Sequence, residues 1–330
     1  MSQINPPRLF LAQLPTPMQL LERVSAQLGG PRIWVKRDDL TGSVLTGNKV
    51  RKLEFLIADA KSQAADVLIT CGGEQSNHCR ATALAAAHTG LKAHLILRGE
   101  KPDTADGNLL LDQLAGASIA FYPSADYQAR LPELFRQWQD TFAKRGLKAY
   151  PIPTGGSNAV GIWGYLSAAD EMHDQFEQLK ISPKYVVCAS GSGGTQAGLS
   201  LGFAQRRPAV MVMGFAVCDS AEYFAAKVQS DIDAWAVRYQ QAVDLVRVQT
   251  CDDYIGPGYG VADGEVFDTI AWLARTEGLV LDPVYTGKAF HGLISEIKSG
   301  RLCDTEDIVF VHTGGVFGLF PYRQQFLLNQ

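Results

Sequence analysis

No apolar run in this 330-residue sequence is long enough to span a bilayer, and no cluster of lysine and arginine marks a nucleic-acid surface. The formal net charge of −4 also argues against a nucleic-acid polymer or an anionic membrane as the main partner. Cysteine is sparse and scattered: Cys71, Cys79, Cys188, Cys218, Cys251 and Cys303 form no Cys-x-x-Cys pair. They are expected as buried thiols in a reducing compartment, not as a disulfide frame or a zinc site. No His-Glu-x-x-His spacing occurs, so no metal is expected. The sequence also lacks a Gly-x-Ser-x-Gly elbow and a Walker lysine, which leaves a hydrolase triad and a P-loop unsupported. Met1 to Arg8 holds two prolines and no apolar core of signal length, so the expected address is the cytoplasm.

What is present is an α/β pattern. An apolar share of 46% in a chain of this length fills one large core or two medium ones. Strand-like runs at Ile33–Lys36, Val67–Cys71, His94–Leu97, Ser118–Tyr122, Tyr185–Ser190, Val210–Val217, Val280–Asp282 and Ile308–His312 alternate with helical stretches. The runs are apolar without alternation, as in parallel strands covered by helices on both faces.

Within this pattern, Thr46-Gly-Asn-Lys-Val-Arg-Lys-Leu-Glu54 puts Lys49 and Lys52 at a helix start, where Asn48 is expected to cap. Free N–H groups there welcome an anion and lower a neighbouring lysine pKa, which makes Lys49 a candidate nucleophile for a carbonyl. Taken alone, such a lysine is usually a solvated charge. Ser190-Gly-Ser-Gly-Gly-Thr195 follows a buried strand and opens a helix, the form of a phosphate cradle. It matches the dinucleotide fingerprint only loosely, so a nicotinamide-dependent oxidoreductase is the remote alternative. Gly72-Gly-Glu-Gln-Ser-Asn-His78 occupies the equivalent place earlier, with Ser76, Asn77 and His78 suited to a carboxylate or phenolate or else to a plain helix cap. Tyr259, Tyr285 and the segment from His312 to Gly315 fall in turns or at strand ends, where doubly wound sheets bind ligands.

Gly47–Glu54, Gly73–His78, Pro153-Thr-Gly-Gly-Ser-Asn158, Gly256-Pro-Gly-Tyr-Gly260 and Asp282-Pro-Val-Tyr-Thr-Gly-Lys288 occur together and in order. From about Pro7 to Thr313 the chain resembles the pyridoxal-phosphate (PLP) family of D-cysteine desulfhydrase and 1-aminocyclopropane-1-carboxylate deaminase. The resemblance implies a two-domain fold of the tryptophan-synthase-β type, fold type II, with twisted, largely parallel sheets. A larger cofactor domain would comprise residues 1–49 and 161–330, and a smaller one residues 50–160, with the site between them. Lys49 would hold the cofactor aldehyde and act as base at Cα, and Asn77 would meet the phenolic oxygen. Ser190, Gly191, Ser192, Gly193, Gly194 and Thr195, with Lys52 nearby, would hold the phosphate. Tyr285 would stack near the ring, and Thr286 or Thr313 would face the pyridine nitrogen. Ser76, Asn77 and His78 would receive the substrate carboxylate, and Tyr259 would face the substrate. Ser76, Tyr259 and Tyr285 join Lys49 as catalytic candidates. Relatives that open the cyclopropane ring carry Glu where Thr286 stands and Gln where His78 stands. The implied reaction is therefore α,β-elimination from a small amino acid, foremost D-cysteine. A cyclopropane deaminase and an L-cysteate sulfo-lyase are the alternatives, and a homodimer is the implied assembly. Glu74 would place a carboxylate beside the substrate.

Overall fold

The computed structural model describes residues 6–326. Strands β1 (Met18–Leu20), β2 (Arg32–Lys36), β3 (Val67–Gly73), β4 (Lys92–Arg98), β5 (Ser118–Tyr122), β6 (Ala149–Pro151), β7 (Tyr185–Ser190), β8 (Met211–Ala216), β9 (Gln249–Cys251) and β10 (Asp307–Val311) form two sheets. The first has the order β1-β2-β10-β7-β8-β9 and the second β5-β4-β3-β6. Every pairing is parallel except that of β1 with β2. This is the largely parallel, helix-covered architecture expected from the sequence.

The absence of alternation in the strands has a direct cause. All six residues of β7 are buried, with Tyr185, Val187 and Ala189 entering one core and Val186 and Cys188 the other. Each large apolar side chain buried this way contributes about 1.5–3 kcal/mol, so both faces must be apolar. The second sheet repeats the arrangement: Leu68 and Leu95 face one cluster, and Val67, Ile69 and Ile96 the other.

Several expectations are corrected. Val280–Asp282 is not a strand. Nearby β10 already has β2 and β7 on either side, and the Val280 carbonyl instead accepts a hydrogen bond from His312 Nε2 at 3.1 Å. Asn48 is not the helix cap but the first residue of the Asn48–Ser62 helix, and its side-chain amide donates to Thr195 Oγ1 at 3.0 Å. The cap position is Gly47, at φ 93°, where an added Cβ would lie 2.8 Å from the Thr313 carbonyl oxygen. Only glycine fits there. Of the cysteines, Cys71, Cys79 and Cys188 are buried, but Cys218 and Cys251 are half-buried and Cys303 is exposed. No described helix is long and apolar enough to cross a membrane.

One buried ionic cluster ties the lysine-bearing helix to the first sheet. Asp38 accepts from Arg51 Nε at 2.9 Å and Nη2 at 2.8 Å, from Tyr165 Oη at 2.6 Å and from Thr16 Oγ1 at 2.8 Å. Arg51 also pairs with Glu171, which takes Lys36 on its other side. Arg51 lies two residues beyond Lys49, so this cluster sets how the helix presents its first turn.

Candidate active site

The C-terminal ends of β3, β4, β7 and β8, with the turns that follow, open onto one cavity of ≈ 490 Å³. Helices begin there after tight turns, so the cavity wall is rich in backbone N–H groups. Lys49, Ser76, Asn77, His78, Ser190, Gly191, Ser192, Gly193, Thr195, Tyr259, Tyr285 and Thr313 all line it. These residues come from stretches up to 264 positions apart, between Lys49 and Thr313.

Lys49 Nζ has no hydrogen-bond or ion-pair partner among the described residues, and its amine faces the cavity. Burial lowers its pKa to about 8, against the opposing pull of Asp282 and Cys188. At pH 7 about a tenth is therefore the free amine, the form that attacks an aldehyde, against well under a thousandth for an ordinary lysine. Capture of pyridoxal phosphate by cofactor-free protein is expected to rise with pH through a midpoint near 8, not near the ordinary lysine value of about 10.4. Borohydride trapping followed by mass spectrometry across the pH range measures that midpoint.

The glycine turn at 191–194 has the features of an anion cradle. Ser190 Oγ is buried without a partner, and the N–H groups of Ser192, Gly193 and Thr195 have no backbone acceptor among the described residues. The second glycine turn packs directly on the first: Ser157 Oγ donates to Ser192 Oγ at 2.9 Å and accepts from the Gly194 N–H at 3.1 Å. An added Cβ on Gly194 would meet Ser157 Oγ at 2.5 Å and Lys52 Nζ at 2.9 Å, and one on Gly191 would press the Tyr285 ring at 3.0 Å. Lys52 lies behind the turn and off the cavity wall, donating to the Gly155 carbonyl at 3.1 Å and to Ser157 Oγ at 3.3 Å. Burial, joined by the Lys49 charge, holds Lys52 well below the ordinary lysine range. A buried lysine short of negative charge beside an orphaned hydroxyl and unpaired N–H groups fits a phosphate.

At the other wall, Ser76 caps the Asn77–Thr89 helix by accepting from the Cys79 N–H at 3.2 Å. The N–H groups of Asn77 and His78 have no acceptor among the described residues. The His78 ring has no N–H to offer into the cavity. Thr70 Oγ1 donates to the Ile152 carbonyl at 2.9 Å, so it must accept from His78 Nε2 at 2.8 Å. Burial holds His78 well below the ordinary histidine range, so the ring is neutral and its partnerless Nδ1 is an acceptor. The helix amides, not the ring, offer donors to a carboxylate. Asn77 Oδ1 accepts from Asn108 Nδ2 at 2.9 Å, which turns the Asn77 NH₂ outward as a donor.

The two nitrogen-facing candidates separate. Thr286 is fully buried off the cavity wall, and its hydroxyl donates to Asp282 Oδ1 at 2.6 Å. Thr313 lies on the wall, held by His312, whose Nδ1 accepts from the Gly314 N–H at 3.3 Å. Tyr259 and Tyr285 share a hydroxyl–hydroxyl hydrogen bond of 2.5 Å. Burial pushes the Tyr259 hydroxyl up to about 12, with Tyr285 and Arg98 pulling the other way. Glu74 is absent from the wall and contacts Gln75 instead.

Sequence reasoning missed Arg98, Gln196 and Asn108. The arginine that closes the apolar strand Leu95-Ile-Leu-Arg98 was a legible signal, since strand C-termini are where ligands sit. Away from the cavity, Cys251, Asp253 and Glu296 offer ligand atoms within 4.8 Å of one another, but the Glu296 carboxylate already accepts from Arg301 and Tyr254.

The chain matches the family profile described as "Pyridoxal-phosphate dependent enzyme" over residues 9–314. It belongs to that family. It is similar to a bifunctional D-cysteine desulfhydrase/1-aminocyclopropane-1-carboxylate deaminase of Arabidopsis thaliana, 41% identical over 96% of this chain and 80% of that protein. A Thermotoga maritima protein provisionally named 1-aminocyclopropane-1-carboxylate deaminase is 43% identical over 96% of this chain and 99% of its own. A crystal structure of an ACC deaminase homologue superposes with a TM-score of 0.88 at 39% identity, covering 98% of this chain and 96% of the other. Threonine deaminase isoform 2 of Solanum lycopersicum, 18% identical over 96% of this chain and 88% of its own, shares the fold with a TM-score of 0.66. Pyridoxal phosphate is the family's cofactor, and the residues of this cavity fit its two demands, an amine for an aldehyde and a cradle for a phosphate.

Proposed function

We propose that the chain eliminates the β-substituent of a small amino acid, with D-cysteine as substrate, and releases pyruvate, ammonia and hydrogen sulfide. The observation that carries this reading is the unpaired Lys49 amine in one cavity with the Asn77 and His78 amides and the empty-handed turn at Ser190–Thr195. Lys49 and the turn would hold the cofactor, with Lys52 behind it, Asn77 at its phenolic oxygen and Thr313 at its nitrogen. Bound pyridoxal phosphate supplies the aldehyde and the ring that draws electron density from Cα.

The protein's own groups do the rest. The helix amides of Asn77 and His78 seat the carboxylate and fix which Cα hydrogen faces Lys49. With a pKa depressed towards neutrality, Lys49 takes that proton without needing a strongly basic solution. The thiolate leaves with the Cβ–S electron pair, steadied by a hydrogen bond from the Tyr259–Tyr285 hydroxyl pair, and takes its proton from water. Water then replaces the nitrogen, giving the oxo acid and ammonia. Thr313 contributes a neutral hydroxyl at the nitrogen end, which adds no full positive charge to the ring and so suits rapid expulsion of a leaving group. On this reading residues 1–49 with 161–330, of which 1–5 and 327–330 lie outside the described residues, form one lobe and 50–160 the other, with the cavity between them.

The test is turnover of holoenzyme on D-cysteine, L-cysteine and 1-aminocyclopropane-1-carboxylate. Pyruvate with equimolar sulfide from D-cysteine, at a kcat/KM about tenfold or more above the other two, is expected. Oxobutanoate from the cyclopropane acid with no sulfide from either cysteine would replace this substrate with the strained ring.

A further inference from the structure

Arg98 is a charged group in the cavity to which the reaction above gives no task. It ends β4, and its register partner on β3 is Gly73, three residues before Ser76. Because Gly73 has no side chain, the guanidinium and the Tyr259 ring both approach that backbone: a Cβ built there would lie 3.6 Å from Tyr259 Cε1 and 3.9 Å from Arg98 Nη2. The guanidinium carbon stands 5.0 Å from the Tyr259 ring centroid. Arg98 lines the same cavity as Lys49 and Asn77, and it has no hydrogen-bond or ion-pair partner among the described residues. Arginines elsewhere find carboxylates, as Arg32 does with Asp307 and Arg323 with Asp106.

The cavity wall carries more basic than acidic side chains. Its basic side chains are Lys49, Arg98 and Lys227, and its one carboxylate is Asp219. Lys227 is paired with Asp231. Lys49 is assigned to the aldehyde, the glycine turn to the phosphate and the helix amides to the α-carboxylate. Arg98 is left over, on the wall that carries the substrate-facing Tyr259. Glu74, the nearby acid that would oppose an anion, is not among the lining residues and accepts from Gln75 Nε2 at 3.4 Å.

We propose that Arg98 forms an anion subsite for the β-substituent, so that beside D-cysteine this enzyme also turns over amino acids bearing an oxyanion on or next to Cβ, sulfonates and phosphate esters among them. A planar guanidinium stacked on an aromatic face presents its N–H fork edge-on and matches two oxygens of such a group at once. The chemistry needs no added oxidant or reductant. Lys49 takes the Cα proton, the Cβ–S or Cβ–O bond breaks, and the oxyanion leaves with the electron pair. Water then yields pyruvate and ammonia as before. This inference rests on the elimination reading, and it assigns the selectivity of that same site.

The experiment compares wild-type, Arg98→Met and Arg98→Lys holoenzymes on both enantiomers of cysteate and O-phosphoserine and on D-cysteine, reading pyruvate with sulfite, phosphate or sulfide. Arg98→Met is expected to lower kcat/KM for the oxyanion substrates at least about tenfold more than for D-cysteine, mostly through KM, with Arg98→Lys intermediate. An equal fall on all substrates would make Arg98 only a support for Tyr259 and overturn the subsite. So would cleavage of cysteine by wild type without any oxyanion release. If no substrate turns over, the elimination reading fails by itself, and binding decides the subsite. Aspartate should then shift the cofactor spectrum at about tenfold lower concentration than alanine does, and Arg98→Met should erase that gap. A gap that persists, or never existed, overturns it.

Discussion

Replacing Lys49 with Ala is expected to lower kcat by at least about a thousandfold, because on the proposed function one substitution removes both the nucleophile that would hold the cofactor and the base at Cα. The structure explains why no neighbour takes over. Lys52, three residues on, is fully buried behind the glycine turn and donates to the Gly155 carbonyl and Ser157 Oγ. His78 is a neutral ring whose Nε2 is committed to Thr70. The variant should fold, since the Lys49 side chain makes no hydrogen bond or ion pair among the described residues. Borohydride reduction should then fix no cofactor at this position, and the yellow colour of the wild type should be lost. A Lys49→Ala protein that is both yellow and active would remove the foundation of the assignment.

The second large effect is on stability. Asp38→Ala is expected to cost about 3–5 kcal/mol, because it leaves Arg51 in the interior without its closest counter-charge. Asp38 and Arg51 are 0% and 1% exposed, so solvent cannot compensate. Burial works to raise the Asp38 pKa, but the Arg51 charge and hydrogen bonds outweigh it and leave the carboxyl below the ordinary range. Its stabilisation is therefore complete above the unfolded-state pKa of about 3.9 and is lost as pH falls through the still lower folded value. Thermal unfolding near neutral pH should show a drop of roughly 5–10 °C for Asp38→Ala. An unchanged transition would mean that Glu171 alone balances Arg51. Kinetics on the folded fraction should also show weaker cofactor retention, because Arg51 anchors the turn of helix that carries Lys49.

The sequence by itself determined the layered α/β architecture, because strands buried on both faces must be apolar throughout, and Tyr185–Ser190 has no other use for its composition. It also determined the family, because five short segments in a set order specify one cofactor's amine and phosphate cradle more tightly than any one of them does. Tertiary structure decided what each polar group has left to offer. Thr286 and Thr313 look alike in sequence, yet Asp282 captures the Thr286 hydroxyl while Thr313 stays on the cavity wall. Asn48 looks like a helix cap, but the close approach of the Thr313 carbonyl to Gly47 gives the cap position to glycine and sends the Asn48 amide to Thr195. The His78 ring could donate or accept on sequence alone, but Thr70, eight residues away, fixes its tautomer. Glu74 stands beside the motif yet off the cavity wall, while Arg98, on a different strand, lines it. Residue type and spacing tell which hydrogen bonds and charges a side chain is able to make; only packing in three dimensions tells which of them are already used.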